Sequence, residues 1–160
     1  MGTHFKGRAA EVRALDAYVK LVRATASVHR RIEKTLTAHK LTENQLAVLE
    51  VILHLGPQCQ RALAEKLLTS GPSVTLLVDQ LEQRGHVRRE RNAEDRRFIT
   101  VQLTAEGRRF IEKIFPGHVD AIVETFGALT AAEQEDLGRL CKKLGIHASD
   151  PAPETEAVRG

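Results

Sequence analysis

Apolar residues recur at intervals of three and four over several stretches of the chain, which is the spacing of one helix face. The longest stretch, residues 9–38, predicts a single amphipathic helix of about 45 Å. A helix of that length exceeds what one small core needs, so we expect its apolar face to pack against a second subunit. The positions on this face are Val12, Leu15, Val19, Val22, Ala26, Ile32 and Leu36.

The next helix has clear start and stop signals. Thr42-Glu43-Asn44-Gln45 is a capping box, and Leu41 and Leu46 are spaced as a hydrophobic staple. Gly56-Pro57 predicts its end, because glycine adopts the left-handed conformation and proline cannot continue a helix.

Two short helices separated by a tight turn follow. Residues 60–68 predict the first, and Ser70 is expected to cap the second, with Pro72 in the first turn where its missing N–H costs nothing. Gly85 should end the second helix. This order is that of a helix-turn-helix.

A two-stranded hairpin is predicted next. The runs 86–91 and 96–103 are strand-like, with β-branched and aromatic residues in the second, and residues 92–95 are rich in turn formers. A hairpin directly after a helix-turn-helix is expected to be a β-wing.

Two helices close the predicted fold. Thr104 should cap the first, which Pro116-Gly117 is expected to kink or interrupt. Thr130-Ala131-Ala132-Glu133 is a second capping box, and Gly145 is expected to end the last helix. The Pro- and Glu-rich tail, residues 146–160, is predicted to be disordered.

Composition narrows the class of protein. A chain of 160 residues with 42% hydrophobic residues fits one compact domain that needs no metal or disulfide. It has no apolar run of membrane-spanning length and no signal peptide, so we expect a cytoplasmic protein with no membrane partner. Its two cysteines, Cys59 and Cys141, are interpreted as reduced thiols, with Cys141 in the core.

Positive charge is concentrated in the predicted wing. The net charge is only +3, but residues 84–97 contain six arginines against three acids. Such a cluster offers a place for the phosphates of a nucleic acid. An arginine-rich loop is often merely solvated, and its position after a helix-turn-helix is what favours DNA.

The string GPSVTLLVDQLEQRGHVRRERNAEDRRFITVQLTAEG, within this order of elements, resembles the MarR family of bacterial winged-helix transcriptional regulators. The resemblance covers roughly residues 10–145. It implies a homodimer that binds palindromic double-stranded DNA, with half-sites about 10 bp apart, and that most often represses until a small, often aromatic, compound binds.

The expected fold class is therefore mainly α with a small β-hairpin wing, a winged helix-turn-helix joined to a helical dimerisation region. The expected domains are a flexible N-terminus (1–8), the winged region (41–104), a dimerisation region (9–38 and 105–145) and the tail (146–160).

Candidate DNA contacts fall on two elements. The short polar residues at the start of the recognition helix can meet phosphates or base edges. The family resemblance implies that Arg97 enters the minor groove and that Asp95 holds it. Leu76 is expected either to touch a thymine methyl or simply to pack. The predicted DNA-binding residues are Gln60, Arg61, Ser70, Ser73, Thr75, Leu76, Arg89, Arg91, Asp95 and Arg97.

Other functions remain open from the sequence. Cys59, before a helix and near Arg61, allows a redox-responsive regulator, and the winged module could instead contact protein. The histidines do not have the spacing of metal ligands, so no metal site is predicted. The sequence contains no phosphate loop and no nucleophile elbow, so we expect no cofactor and no enzymatic activity. The sequence offers no effector-binding motif.

Overall fold

The computed structural model of the chain describes residues 3–91 and 99–149. Within these ranges the elements are α1 (Ala9–Thr37), α2 (Glu43–Leu55), β1 (Gln58–Cys59), α3 (Gln60–Lys66), α4 (Gly71–Gln83), β2 (Val87–Arg91), β3 (Ile99–Leu103), α5 (Ala105–Phe126) and α6 (Ala131–Ser149). The chain divides after Ile122 into two compact units. The predicted fold class is confirmed.

The core of the first unit lies under the helix-turn-helix. It is assembled from one face each of α2, α3 and α4, the start of α5 and the end of α1. Its fully buried side chains include Leu36, Leu46, Leu49, Ile52, Leu63, Val74, Val78, Leu81 and Ile111. α4 is therefore fixed along its inner face. Of the apolar positions predicted for α1, by contrast, only Ile32 and Leu36 are buried.

The wing belongs to a three-stranded antiparallel sheet of order β1-β3-β2. Val87 pairs with Leu103 in the predicted hairpin, and Gln58 pairs with Val101 across β1 and β3. The hairpin is confirmed, but the sequence did not predict β1. Two residues are too short to show an alternating pattern, and only the pairing partner defines them as a strand.

The predicted start of α2 and the glycine ends of α2 and α4 are confirmed, whereas α3 ends at Lys66, two residues before its predicted end. Thr42 Oγ1 accepts from Gln45 N at 3.2 Å, and Gln45 Oε1 accepts from Thr42 N at 3.1 Å. Gly56 and Gly85 both have positive φ, 75° and 73°, as expected for glycines that end helices.

Of the two outcomes expected at Pro116, interruption is excluded, since α5 is continuous from Ala105 to Phe126. Two other predictions for the C-terminal helices are wrong. α6 passes Gly145, which does not adopt positive φ, and continues to Ser149, so residues 146–149 are helical and not part of a tail. Cys141 is exposed and not in a core.

Apolar side chains remain uncovered on two helices of the single chain. In the second unit, residues 131–148 of α6 are all exposed, including Leu137, Leu140, Leu144 and Ile146. In the first unit, α1 buries Ile32 and Leu36 near its end but exposes Tyr18 and Val22. None of the helices in the described part of the chain is long and apolar enough to cross a membrane.

Four segments meet at the base of the wing. Thr104 Oγ1 donates to the carbonyl oxygen of Gly85 at 2.6 Å and accepts from Gly107 N at 2.9 Å, while Thr104 N donates to the carbonyl oxygen of His86 at 3.0 Å. The ring of His86 stacks on Phe110 with centroids 4.2 Å apart. The end of α4, both wing strands and the start of α5 are thereby joined, and we call this set of residues, 85, 86, 104, 107 and 110, the wing base.

Substitution of Gly107 by alanine tests how closely the wing base is packed. A Cβ at this position would overlap the backbone carbonyl of His86, so Gly107→Ala must displace either α5 or the start of β2. We expect a loss of about 3 kcal/mol in the free energy of unfolding, as in an overpacked core, measured by urea denaturation.

Gly117→Ala in the same helix is the matched control. A Cβ there meets nothing within 4 Å, so removing a helical glycine should raise stability by about 0.5–1 kcal/mol. Equal effects of the two substitutions would contradict the close approach at the wing base.

Candidate nucleic-acid interface

The turn between α3 and α4 presents the first turn of α4 at the surface. Leu68 adopts a left-handed conformation (φ 48°) and is 89% exposed, and Thr69 N donates back to the carbonyl oxygen of Ala64 at 3.0 Å. Ser70 Oγ accepts from Ser73 N at 3.3 Å, which confirms the predicted N-cap. Ser70 and Ser73 are both exposed, and their hydroxyls lie 2.8 Å apart.

An open groove of about 570 Å³ lies between the starts of these two helices. It brings together three of the predicted DNA contacts, Gln60, Arg61 and Thr75. Nε2 of Gln60 is buried and finds no acceptor among the described residues, whereas Arg61 is exposed and pairs with Glu65 at 3.0 Å. The groove therefore presents the guanidinium of Arg61, paired with Glu65, beside the start of α4, while the amide nitrogen of Gln60 stays below the surface.

The polar groups further along α4 are bonded within the protein. Thr75 Oγ1 donates to the carbonyl oxygen of Gly71 at 3.1 Å. Gln80 Oε1 accepts from Gln45 Nε2 at 2.9 Å. Leu76 is 58% exposed and lies outside the core. Of the two roles that the sequence left open for Leu76, packing within this chain is therefore excluded.

Arg89 connects the wing to α4 by a fork of ion pairs. Its Nη2 lies 2.6 Å from Asp79 Oδ1, its Nη1 lies 2.5 Å from Glu82 Oε2, and its backbone N donates to Glu82 Oε1 at 2.8 Å. Burial acts to lower the pKa of Arg89, but the hydrogen bonds of the two carboxylates outweigh it and raise that pKa. The guanidinium predicted to contact phosphate is therefore committed to two carboxylates of α4.

Arg84 is also used internally. It donates to the carbonyl oxygens of Lys40 and His39 at 2.7 and 3.0 Å, and so ties the end of α4 to the turn after α1. Of the arginines counted in the basic segment, Arg84 and Arg89 thus stabilise the fold. Arg91, at the end of β2, is exposed.

The predicted wing-tip contacts, Asp95 and Arg97, lie outside the described residues, which resume at Ile99. Their roles stay predictions. β2 and β3 are paired up to Arg91 and Ile99.

The cysteines and histidines form no obvious reactive or metal centre in the part of the chain that is described. Cys59 is half-buried at the N-cap of α3, where its Sγ accepts from Ala62 N at 3.5 Å. Over residues 3–91 and 99–149, no three His, Cys, Asp or Glu side chains are placed to hold a metal ion. Burial lowers the pKa of His86 and of His118.

Sequence reasoning missed the fork at Arg89 and the exposed, left-handed Leu68. The acids of the fork lie seven and ten residues before Arg89 on another element, and no local pattern relates them. Leu68 offered no signal, since a leucine next to a helix end is usually counted as core.

Comparison with known proteins agrees with this geometry. The family model described as "MarR family" matches residues 41–99. The uncharacterized HTH-type transcriptional regulator YkoM of Bacillus subtilis is 34% identical over 136 residues, which cover 85% of this chain and 88% of YkoM.

Two solved structures share the fold. AbsC, a MarR family transcriptional regulator from Streptomyces coelicolor, superposes with a TM-score of 0.79 at 21% identity, covering 90% of this chain and 98% of AbsC. BpsR of Bordetella bronchiseptica, whose DNA binding is regulated by 6-hydroxynicotinic acid, gives 0.74 at 23% identity, covering 91% and 98%. With the YkoM match and the helix-turn-helix and wing described above, this chain belongs to the MarR family and is a DNA-binding transcriptional regulator.

Proposed function

We propose that this regulator is a homodimeric repressor that occupies a palindromic site in double-stranded DNA and leaves it when a small aromatic effector binds. The observation that carries the proposal is the exposed first turn of α4 beside Gln60 and Arg61, with the opposite face of α4 buried. This role is binding and not catalysis, and we assign no cofactor to it.

The start of α4 would enter the major groove. Ser70 and Ser73 lie at its exposed N-terminus, where the helix dipole favours a phosphate. Gln60 and Arg61 line the same groove from the start of α3 and would contact the flanking phosphate backbone of the DNA. α4 itself has no basic residue, so positive charge must come from α3 and the wing.

The wing would supply the remaining contacts. Arg91 is exposed at the end of β2 and is suited to a phosphate, and Arg97 is proposed to enter the minor groove, oriented by Asp95. We replace the phosphate contact of Arg89 by a positioning role, because its fork with Asp79 and Glu82 fixes the wing against α4 and neutralises two acids on the DNA-facing helix.

The dimerisation region is proposed to comprise residues 9–38 and the helices after residue 105. Exposed apolar side chains on α1 and α6 favour burial against a second copy, which would place two winged modules one helical turn of DNA apart. Release by an aromatic effector is supported by BpsR, which shares the fold and responds to 6-hydroxynicotinic acid.

DNA binding should depend steeply on salt and on Arg97. Each arginine that neutralises a phosphate contributes about 0.9 to the slope of log K against log salt, so Arg97→Ala should weaken binding and reduce that slope by about 1 per protomer. Fluorescence anisotropy with a selected genomic fragment measures both. Arg8→Ala, which removes an exposed arginine outside the winged and dimerisation regions, is the control, and identical binding by the Arg97 variant would contradict the wing assignment.

Arg89 should matter for stability even without DNA. Arg89→Met leaves two carboxylates without their cation, and loss of charged hydrogen bonds predicts about 1.5–3 kcal/mol less unfolding free energy. Arg88→Met, an exposed neighbour, should change it by under about 0.5 kcal/mol. Equal unfolding curves for the two variants would restore a direct phosphate role for Arg89.

The chain should sediment as a stable dimer. Burial of the apolar faces of α1 and α6 predicts a species of twice the chain mass at micromolar concentration, and Leu140→Glu on α6 should shift it toward monomer because a charge cannot be buried unpaired. A wild-type monomer in analytical ultracentrifugation would contradict this assembly.

A further inference from the structure

The first three turns of α4 lack the free groups with which a helix usually reads bases by hydrogen bonds, whereas the exposed Gln83 lies in its last turn. The sequence of α4, GPSVTLLVDQLEQ, contains no arginine, lysine, histidine or asparagine. Arginine or lysine reads guanine and asparagine or glutamine reads adenine. Gln80 is held by Gln45, and Asp79 is held by Arg89. Hydrogen-bonded readout by the first three turns of α4 is therefore limited to short hydroxyls.

Those hydroxyls are also largely engaged. Ser70 and Ser73 bond each other at the N-cap. Thr75 Oγ1 points back to the carbonyl oxygen of Gly71 at 3.1 Å. Because Oγ1 and the methyl occupy different staggered positions on the same Cβ, this bond leaves the methyl of the exposed Thr75 on another side of the chain.

Leu76 extends this apolar surface. It is 58% exposed, directly after Thr75, and lies outside the core cluster. An exposed leucine is common by itself, but this one follows Thr75, which lines the groove with Gln60 and Arg61. Apolar contact with the thymine C5-methyl is the base recognition open to such side chains.

We propose that Thr75 and Leu76 read thymine methyl groups in the major groove, so that the sites this regulator prefers carry A·T pairs opposite the second turn of α4. The inference rests on the proposed function, since α4 must lie in the major groove. Thr75 shares its groove with the exposed cation of Arg61, and the chain belongs to a family of DNA-binding regulators, which together favour DNA as the occupant over a protein with an apolar docking segment.

The test uses deoxyuridine, which pairs like thymine but lacks the C5-methyl group. Genomic fragments bound by the full-length protein are selected first, and each thymine of the resulting operator is then replaced singly by deoxyuridine. For the wild-type protein we expect affinity to fall about fourfold at one or two symmetric positions, the effect of exposing one methyl group, with little change elsewhere.

Leu76→Ala completes a double-mutant cycle. It should weaken binding of the thymine operator about fourfold or more, and deoxyuridine at the position that Leu76 reads should then cause no further loss, while a thymine read by Thr75 stays sensitive. Leu76→Met should retain the sensitivity to deoxyuridine. Leu55→Ala, which removes a leucine 56% exposed at the end of α2, is the matched control and should leave that sensitivity unchanged.

The outcomes separate the two levels of the proposal. A specific operator in which no thymine is sensitive to deoxyuridine, or equal sensitivity in wild type and Leu76→Ala, would overturn methyl reading alone. Failure to select any fragment would overturn the proposed function. The deoxyuridine scan of the wild-type protein requires no variant. It therefore still tests the inference if the Leu76→Ala protein fails to fold.

Discussion

The close approach of α5 to the backbone of His86 is the constraint on which the rest of the winged region depends. Gly107 leaves no room for a side chain there, and Thr104 bonds both sides of the contact. The end of α4, the two wing strands and α5 are thereby held as one piece. A winged module can place a helix in one groove and a hairpin in the next only if their relative orientation is fixed, since a loose wing would lose its contacts to entropy.

A second link between wing and helix is electrostatic. In the fork, Arg89 neutralises the charges of Asp79 and Glu82, two acids of the helix that we propose faces the DNA. Composition had predicted that this arginine belongs to a basic patch for phosphates. The charge of Arg89 in the wing is thus used in ion pairs within the protein. The net attraction for DNA falls on fewer cations than a count of arginines suggests, and we propose that base recognition rests on the short and apolar side chains of α4.

The two apolar helices serve a different purpose from the core. α1 and α6 display Tyr18, Val22, Leu137 and Leu140 on their surfaces, while the centre of the first unit is fully packed. The spacing of apolar residues is the same for a helix face buried in the core and for an exposed one. It shows that a helix is amphipathic, but not which surface its apolar face packs against. The apolar faces that are buried within the chain stabilise its fold. We propose that the exposed apolar faces of α1 and α6 serve assembly with a second subunit.

Local chemistry was enough to predict the helices around the recognition unit, their caps at Thr42 and Ser70, and the hairpin, because caps, glycine stops and alternation act within a few residues. The tertiary structure alone decided three things. It paired β1 with β3, it turned Arg89 inward to α4, and it left Cys141 exposed. Each depends on contacts between segments distant in sequence, or on the lack of them, and no local pattern encodes such contacts. The sequence thus determined which elements form and what kind of molecule they build, whereas three-dimensional packing decided which of the polar groups remain to meet DNA.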